Sequence, residues 1–335
     1  MLSSILLAWG AFLAVSRASP LHPYERDTSS STTPLPPSQD PFYTAPENYQ
    51  LAAPGAILRS RKAPGNLTSV IGNCSAAYNI LYRTTDSHHQ PSWAVTTLLV
   101  PLTEASNRRS CGDALLSYQI PYDSADVDDS PSYALYSEEI SDLPAALGRG
   151  WYVNVPDYEG PLASFTAGVQ SGHATLDSVR AALSSEFGPS SDARYAMWGY
   201  SGGALASEWA AELQVQYAPE LEFSGAALGG LTPNITSVLH SVSGSVYAGL
   251  VPSGLLGLAS QYPDFDQSLL QALNPSGQYN KTGFLAARGM SQVETFEYYG
   301  DEDIFDYFID GSAYFNTPLV KDVLSTEGKI GRAHV

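Results

Sequence analysis

The apolar positions of this chain change their period along its length, and the change outlines the fold. Residues 77–83, 93–100 and 115–120 are short runs rich in β-branched and aromatic side chains, each bounded by turn formers. They predict hairpin-linked strands. Residues 151–155 read as a buried strand, after which Val169, Gly172, Leu176, Val179 and Leu183 recur at helical spacing. A second unit of the same kind follows, with a strand over 195–198, a helix over 203–217 and a strand over 223–228. Strands alternating with amphipathic helices predict an α/β fold, a mostly parallel sheet with helices on both faces.

The flanks read differently. Residues 19–40 are rich in Pro, Ser, Thr and Asp without an apolar period, the composition of a disordered leader. Over residues 42–65, anchors such as Phe42, Tyr49 and Ile57 are interrupted by Pro46, Pro54 and Pro64, which predicts an irregular segment wrapped around the core. Past Gly230 the chain becomes rich in Gly, Ser, Leu and Pro, as in 244–249 and 255–259. These read as small helices, where a cap or lid would sit over a core spanning 41–232.

Composition narrows the function classes. With 335 residues and 44% hydrophobic content, one sizeable core is the default. The formal net charge of −18 repels phosphate backbones, so no nucleic-acid partner is expected. Residues 1–18 carry an apolar run ending in small residues, which reads as a signal peptide. No later stretch approaches the roughly 20 apolar residues of a transmembrane helix. Secretion makes a Cys74–Cys111 disulfide the expected pairing. Asn66, Asn234 and Asn280 open glycosylation sequons, and Asn73 does so beside a half-cystine. The acidic run Asp123, Asp126, Asp128 and Asp129 lacks the glycine and terminal Glu of a calcium loop and reads as a solvated loop. No metal or cofactor is expected.

The sharpest chemical signal is Gly199-Tyr200-Ser201-Gly202-Gly203, which follows an apolar strand and opens a helix. This is the setting of a nucleophile elbow, in which a serine sits on a strained strand-to-helix turn and flanking glycines let the backbones approach. Ser201 is the expected nucleophile. The Gly202 N–H, at the helix N-terminus, is placed to donate to the oxyanion of a tetrahedral intermediate. A second donor should come from the loop after an earlier strand, and Asp157 follows the strand over 151–155. Its backbone N–H, or a side chain held protonated by burial, would serve.

Together with that elbow, Asp157-Tyr158-Glu159-Gly160, Tyr82-Arg83-Thr84-Thr85-Asp86 and Ser130-Pro131-Ser132-Tyr133 give a chain that resembles the fungal secretory lipases over about residues 40–325. The resemblance implies an α/β-hydrolase fold, Ser201 as nucleophile, Asp157 helping to bind the oxyanion, and a helical cap over roughly 233–326 covering an acyl pocket. It also implies a lipid ester as substrate, met at a lipid–water interface. Short-chain esterases and serine peptidases share the elbow. A non-catalytic secreted glycoprotein is the reading from a different class.

A triad also needs an acid and then a histidine after the serine. Only His240 and His334 follow Ser201, and neither stands in a suitable context. His240 falls where the cap begins, and Asp264, Asp266, Asp301, Asp303, Asp306 and Asp310 lie in cap-like sequence. The triad acid and base are therefore unassigned. Residues 330–335 back-translate without mismatch to part of a common short-read sequencing adapter and read as a non-native tail. The expectation is a truncated, inactive copy of a longer protein whose last sheet strands are missing.

Overall fold

A computed structural model describes residues 25–26, 33–102, 113–137, 140–190, 192–328 and 331. The signal-peptide assignment, Cys111 and, apart from Gly331, the tail at 330–335 lie outside the described residues. The fold is of the α/β-hydrolase type. Its mixed sheet contains β1 (Glu25–Arg26), β2 (Ile57–Lys62), β3 (Cys74–Thr85), β4 (Pro91–Pro101), β5 (Ala114–Gln119), β6 (Tyr152–Pro156), β7 (Arg194–Tyr200) and β8 (Ala226–Gly229). The strand order is β1-β2-β3-β4-β6-β5-β7-β8.

The period change in the sequence divides this sheet. β2, β3, β4 and β6 pair antiparallel, with β3 and β4 forming a hairpin from Thr85↔Pro91 up to Cys74↔Pro101. β6, β5, β7 and β8 pair parallel, as strands joined by crossover helices do. Their C-terminal ends point the same way, and that edge of the sheet is where ligands bind in open α/β folds.

Two buried clusters hold helices on the sheet. On one face, α1 (Leu67–Ile71), α2 (Pro131–Ala134) and α3 (Asp142–Gly148) bury Leu67, Leu135, Leu143 and Leu147 against Leu99, Val153 and Val155. On the other lie α4 (Gly168–Ser184) and α5 (Gly202–Tyr217), whose packing rests on missing side chains. A Cβ at Gly172 would come within 2.8 Å of the Trp209 backbone, and one at Gly168 within 2.0 Å of its indole. The helices approach closely enough to bury Trp209 completely. Six further helices, α6 (Ile235–Val242), α7 (Leu250–Gln261), α8 (Pro263–Ala272), α9 (Lys281–Leu285), α10 (Gln292–Tyr299) and α11 (Pro318–Gly328), make up the stretch expected to be a cap. Their Leu255, Phe265, Phe284 and Leu324 belong to the same continuous apolar cluster as Leu98 and Met197 of the sheet.

Some expectations need correction. Residues 57–62 form a strand with a register shift between Ile57 and Arg59 rather than irregular wrapping, and β2 tolerates Arg61 at a buried position because its guanidinium meets Asp40 at 2.7 Å and lies over the Phe42 ring. That contact also anchors the end of the stretch read as a disordered leader. Asp40 is buried there, and Ser38 bonds the Asp128 carboxylate through both its N–H and its hydroxyl. The strand expected over 223–228 starts at Ala226, although Ser224 and Gly225 already exchange backbone hydrogen bonds with Tyr195 and Met197 of β7. No helix among the described residues is long and apolar enough to cross a membrane.

Candidate active site

At the end of β7 the chain turns sharply into α5, and Ser201 takes φ 51°, ψ −120°, a conformation that costs a non-glycine residue of order 1–3 kcal/mol. The surroundings over-determine it. The Ser201 N–H is tied to Gly229 O at 2.9 Å, and its carbonyl accepts the Leu205 N–H at 3.0 Å. Each elbow glycine is needed for a separate close approach. Ideal Cβ atoms would meet Gly203 O at 2.1 Å from Gly199, Asp123 Oδ1 at 1.9 Å from Gly202, and Gln119 O at 1.9 Å from Gly203. Tyr200 points outward and is 58% exposed.

Asp123 is the residue that sequence reasoning placed wrongly. It is not part of a solvated acidic loop: the loop after β5 folds it inward to 2% exposure, with a left-handed φ of 43° that Asp tolerates better than most residues. Burial pushes its carboxyl up to about 7, and the neighbouring charge of Asp129 adds to this, while a hydrogen bond from Gln292 opposes it. Gln292 Nε2 donates to Oδ2 at 3.0 Å. Oδ1, the oxygen lying against Gly202, has no hydrogen-bond partner among the described residues. A signal was present in the sequence, because Asp123 stands just past a strand end, as Asp157 does.

Asp157 lies elsewhere. Both its oxygens are occupied, Oδ1 by the Ser132 N–H at 2.8 Å and Oδ2 by the Ser132 hydroxyl at 2.6 Å. Its backbone N–H is used as well, donating to Val95 O at 2.9 Å. Burial raises its carboxyl to about 7 against those hydrogen bonds, and it lines a separate cavity with Tyr43, Trp93 and Ser130. Its loop nonetheless braces the one that carries Asp123. Tyr158 OH donates to Ile120 O at 2.8 Å, and Glu159 N–H donates to Tyr122 OH at 2.7 Å.

Ser201, Gly202 and Asp123 line one cavity that continues beneath the helices following β8. Its far walls are Ile235 and Leu239 of α6, Val251, Leu255 and Leu258 of α7, and Leu324 of α11. The polar end therefore holds a hydroxyl, a helix N-terminus and an acid, and the rest is hydrocarbon apart from Thr166 and Thr232. No histidine lines this cavity among the described residues. His240 is exposed on α6 and packs against the Phe305 ring at 5.1 Å. Of the cap acids, Asp266 pairs with Arg288 and Asp303 caps a turn by accepting from the Phe305 N–H.

The remaining predicted positions fall on the periphery. Asn66, Asn234 and Asn280 each stand at a helix N-cap, and the last two accept hydrogen bonds from Ser237 N and Gly283 N. Cys74 is buried, with its sulfur against the Ala76 carbonyl. No group of three or more His, Cys, Asp or Glu among the described residues is arranged to hold a metal.

Comparison with known proteins gives this arrangement a context. The family model described as secretory lipase matches residues 135–325. The chain is 53% identical over 314 residues to the trichothecene C-3 esterase of Fusarium sporotrichioides, covering 90% of this chain and 70% of that protein. It is 38% identical over 312 residues to lipase A of Arthroderma benhamiae, covering 87% of this chain and 65% of that protein. The chain thus spans about two thirds of the length of these relatives. The crystal structure of Candida antarctica lipase A in its closed state superposes with a TM-score of 0.77 at 30% identity, over 89% of this chain and 70% of that one.

Proposed function

The chain belongs to the secretory lipase family, and we propose that it is a secreted serine hydrolase of carboxylic esters with Ser201 as its nucleophile. The observation that carries this reading is the strained Ser201, held at the head of α5 and opening into an apolar cavity. In the reaction Ser201 Oγ bonds to the ester carbonyl carbon, and the carbonyl electron pair moves onto oxygen. That oxyanion is met by the Gly202 N–H and by the protonated Asp123 carboxyl, and the dipole of the 16-residue α5 adds to the stabilisation. As the intermediate collapses, the C–O bond to the alcohol breaks and the alcohol departs with a proton, leaving acyl-Ser201. Water then repeats the sequence and releases the acid. The base that carries these protons, and its orienting carboxylate, are not among the described residues that line the cavity.

For the substrate we propose a triacylglycerol, whose acyl chain would fill the space among α6, α7 and α11. The 53% identity to a trichothecene C-3 esterase favours a second reading, an esterase acting on a trichothecene C-3 ester in place of a lipase. Rates on a long-chain triglyceride, a nitrophenyl acetate, a trichothecene C-3 ester and a peptide amide separate these readings from each other and from a peptidase. We further assign residues 1–18 to a signal peptide, Cys74 and Cys111 to a disulfide, and Asn66, Asn234 and Asn280 to glycosylation. A mass shift on reduction and glycosidase treatment test the last two. The decisive test of the whole is Ser201→Ala in the protein as its host makes it. Esterase activity and fluorophosphonate labelling should fall by about 10⁴-fold or more while the melting temperature holds. Retained activity would remove Ser201 from the chemistry.

A further inference from the structure

The loop carrying Asp123 is fastened to the cap by three hydrogen bonds, all made around the start of α10. Ser124 Oγ donates to Met290 O at 2.9 Å, the Gln292 N–H donates to Asp129 Oδ2 at 3.1 Å, and Gln292 Nε2 donates to Asp123 Oδ2 at 3.0 Å. Gln292 is the first residue of α10, inside a capping box in which Ser291 and Glu294 satisfy each other's backbone N–H groups. The helix start is therefore fixed, and with it the direction in which the Gln292 side chain leaves the backbone.

An amide N–H can only donate, so the oxygen it meets must act as an acceptor. In a protonated carboxyl the better acceptor is the carbonyl oxygen, and the hydroxyl is then the other one. With Oδ2 engaged by Gln292, the proton of Asp123 sits on Oδ1. That is the oxygen packed against Gly202, buried and without a partner among the described residues. If the amide were turned over, Oδ2 would have to be the hydroxyl, and Oδ1 would face a developing oxyanion with bare lone pairs. Those lone pairs would then repel the oxyanion at the point where stabilisation is needed.

We propose that Gln292 is a positioning residue, supplied by the cap, that fixes the Asp123 proton on Oδ1 and so completes the second oxyanion donor only when the cap is docked. The proposal rests on the reading of Ser201 and Asp123 given above. It gives the cap a chemical role besides covering the acyl cavity, because lifting α10 withdraws the donor that orders the carboxyl. The other titratable groups around Asp123 lie on the core side: Asp129 on its own loop, and Tyr158 and Glu159 on the loop after β6. They stay in place when Gln292 is changed.

The test is a double-mutant cycle of Gln292→Met and Asp123→Ala in the protein as its host makes it, followed by hydrolysis of a short-chain nitrophenyl ester. Methionine keeps the volume and removes the donor. Gln292→Met should lower kcat about tenfold with KM within about twofold, part of the about 10²–10³ that an oxyanion donor supplies. Loss of a donor that favours the ionised carboxylate should also move the alkaline limb of kcat/KM to higher pH. In the Asp123→Ala background the same change should alter kcat by less than about twofold, since its target is gone. An equal loss in both backgrounds, or an unmoved limb, would show a general effect on cap packing and overturn the proposal, as would unchanged kcat. If Gln292→Met does not fold, the isosteric Gln292→Glu serves. It replaces the donor by an acceptor and should lose activity progressively above the ordinary carboxylate range, and a flat profile would overturn the proposal. A Ser201→Ala control separates the two levels, because an active control sinks the site reading, whereas a dead control beside wild-type-like Gln292→Met sinks the positioning role alone.

Discussion

Asp123 and Asp157 make a natural comparison, because they stand beyond the ends of neighbouring strands, β5 and β6, and are buried to 2% and 3% exposure. Burial pushes both carboxyls up to about 7. They differ in what their oxygens touch. Ser132 takes both oxygens of Asp157, which makes that carboxyl a clamp between α2 and the end of β6. Asp123 gives one oxygen to the cap and leaves the other bare against Gly202, in the cavity that holds Ser201. A raised pKa follows from desolvation wherever the group sits. A chemical role needs an unspent hydrogen-bonding atom facing the place where charge develops.

The comparison breaks or holds first on kcat. Asp123→Ala should lower kcat by about 10²–10³ with little change in KM, the usual loss for one oxyanion donor. Thermal stability should hardly move, since a buried and half-satisfied carboxyl is being removed. Asp157→Ala should do the reverse. The Ser132 N–H and hydroxyl would be left buried without their acceptor, costing about 1–3 kcal/mol of stability, while kcat of the folded fraction stays within about twofold. If Asp157→Ala instead cost kcat a hundredfold at constant stability, the oxyanion role would belong to the loop after β6, as the family resemblance first implied.

How far the sequence could anticipate this depended on whether a feature is dictated locally. The elbow was legible because each of Gly199, Gly202 and Gly203 answers a steric demand at a fixed place, with contacts of 2.1 Å or less awaiting any Cβ. The β3–β4 hairpin and α4 were legible because burial on defined faces imposes a period. β2 was hidden by Arg59, Arg61 and Lys62, whose charges disguise a strand that buries Arg61 by pairing it with Asp40 across the sequence and stacking it on Phe42. Asp123 was hidden in the same way. Within the run Asp123, Asp126, Asp128 and Asp129 nothing local separates the one acid folded inward from those left partly exposed. Choosing between Asp123 and Asp157 required knowing that Ser132 comes to one and Gly202 to the other, which only tertiary packing decides.

The smallest expected effect is on the pH dependence of stability, and there the two acids should behave alike. Each has a folded pKa near 7 against an unfolded value near about 4. Between those values the native state holds a proton that the unfolded chain has released, so each group makes stability fall as pH rises from about 4 to about 7, with no slope from it outside that window. Burial raises Glu159, Asp177 and Glu327 too, and they add slope of the same sign above the carboxylate range. His173 opposes them. Its pKa is lowered to about 3 by burial and by the neighbouring His89, so below about 6.5 it is the unfolded chain that binds the extra proton, and stability rises with pH. Asp157→Asn removes one titrating group and keeps an oxygen for the Ser132 clamp. Its unfolding free energy, measured in urea from pH 4.5 to 6.5, should fall less steeply than wild type by up to about 1.4 kcal/mol per pH unit, the equivalent of one proton. Asp123→Asn should flatten the same plot by a similar amount while also removing the alkaline limb near pH 7 from kcat/KM, which Asp157→Asn leaves in place. Parallel stability plots for wild type and both variants would mean that neither carboxyl holds its proton in the native state, and the protonated donor at Asp123 would fall with that result.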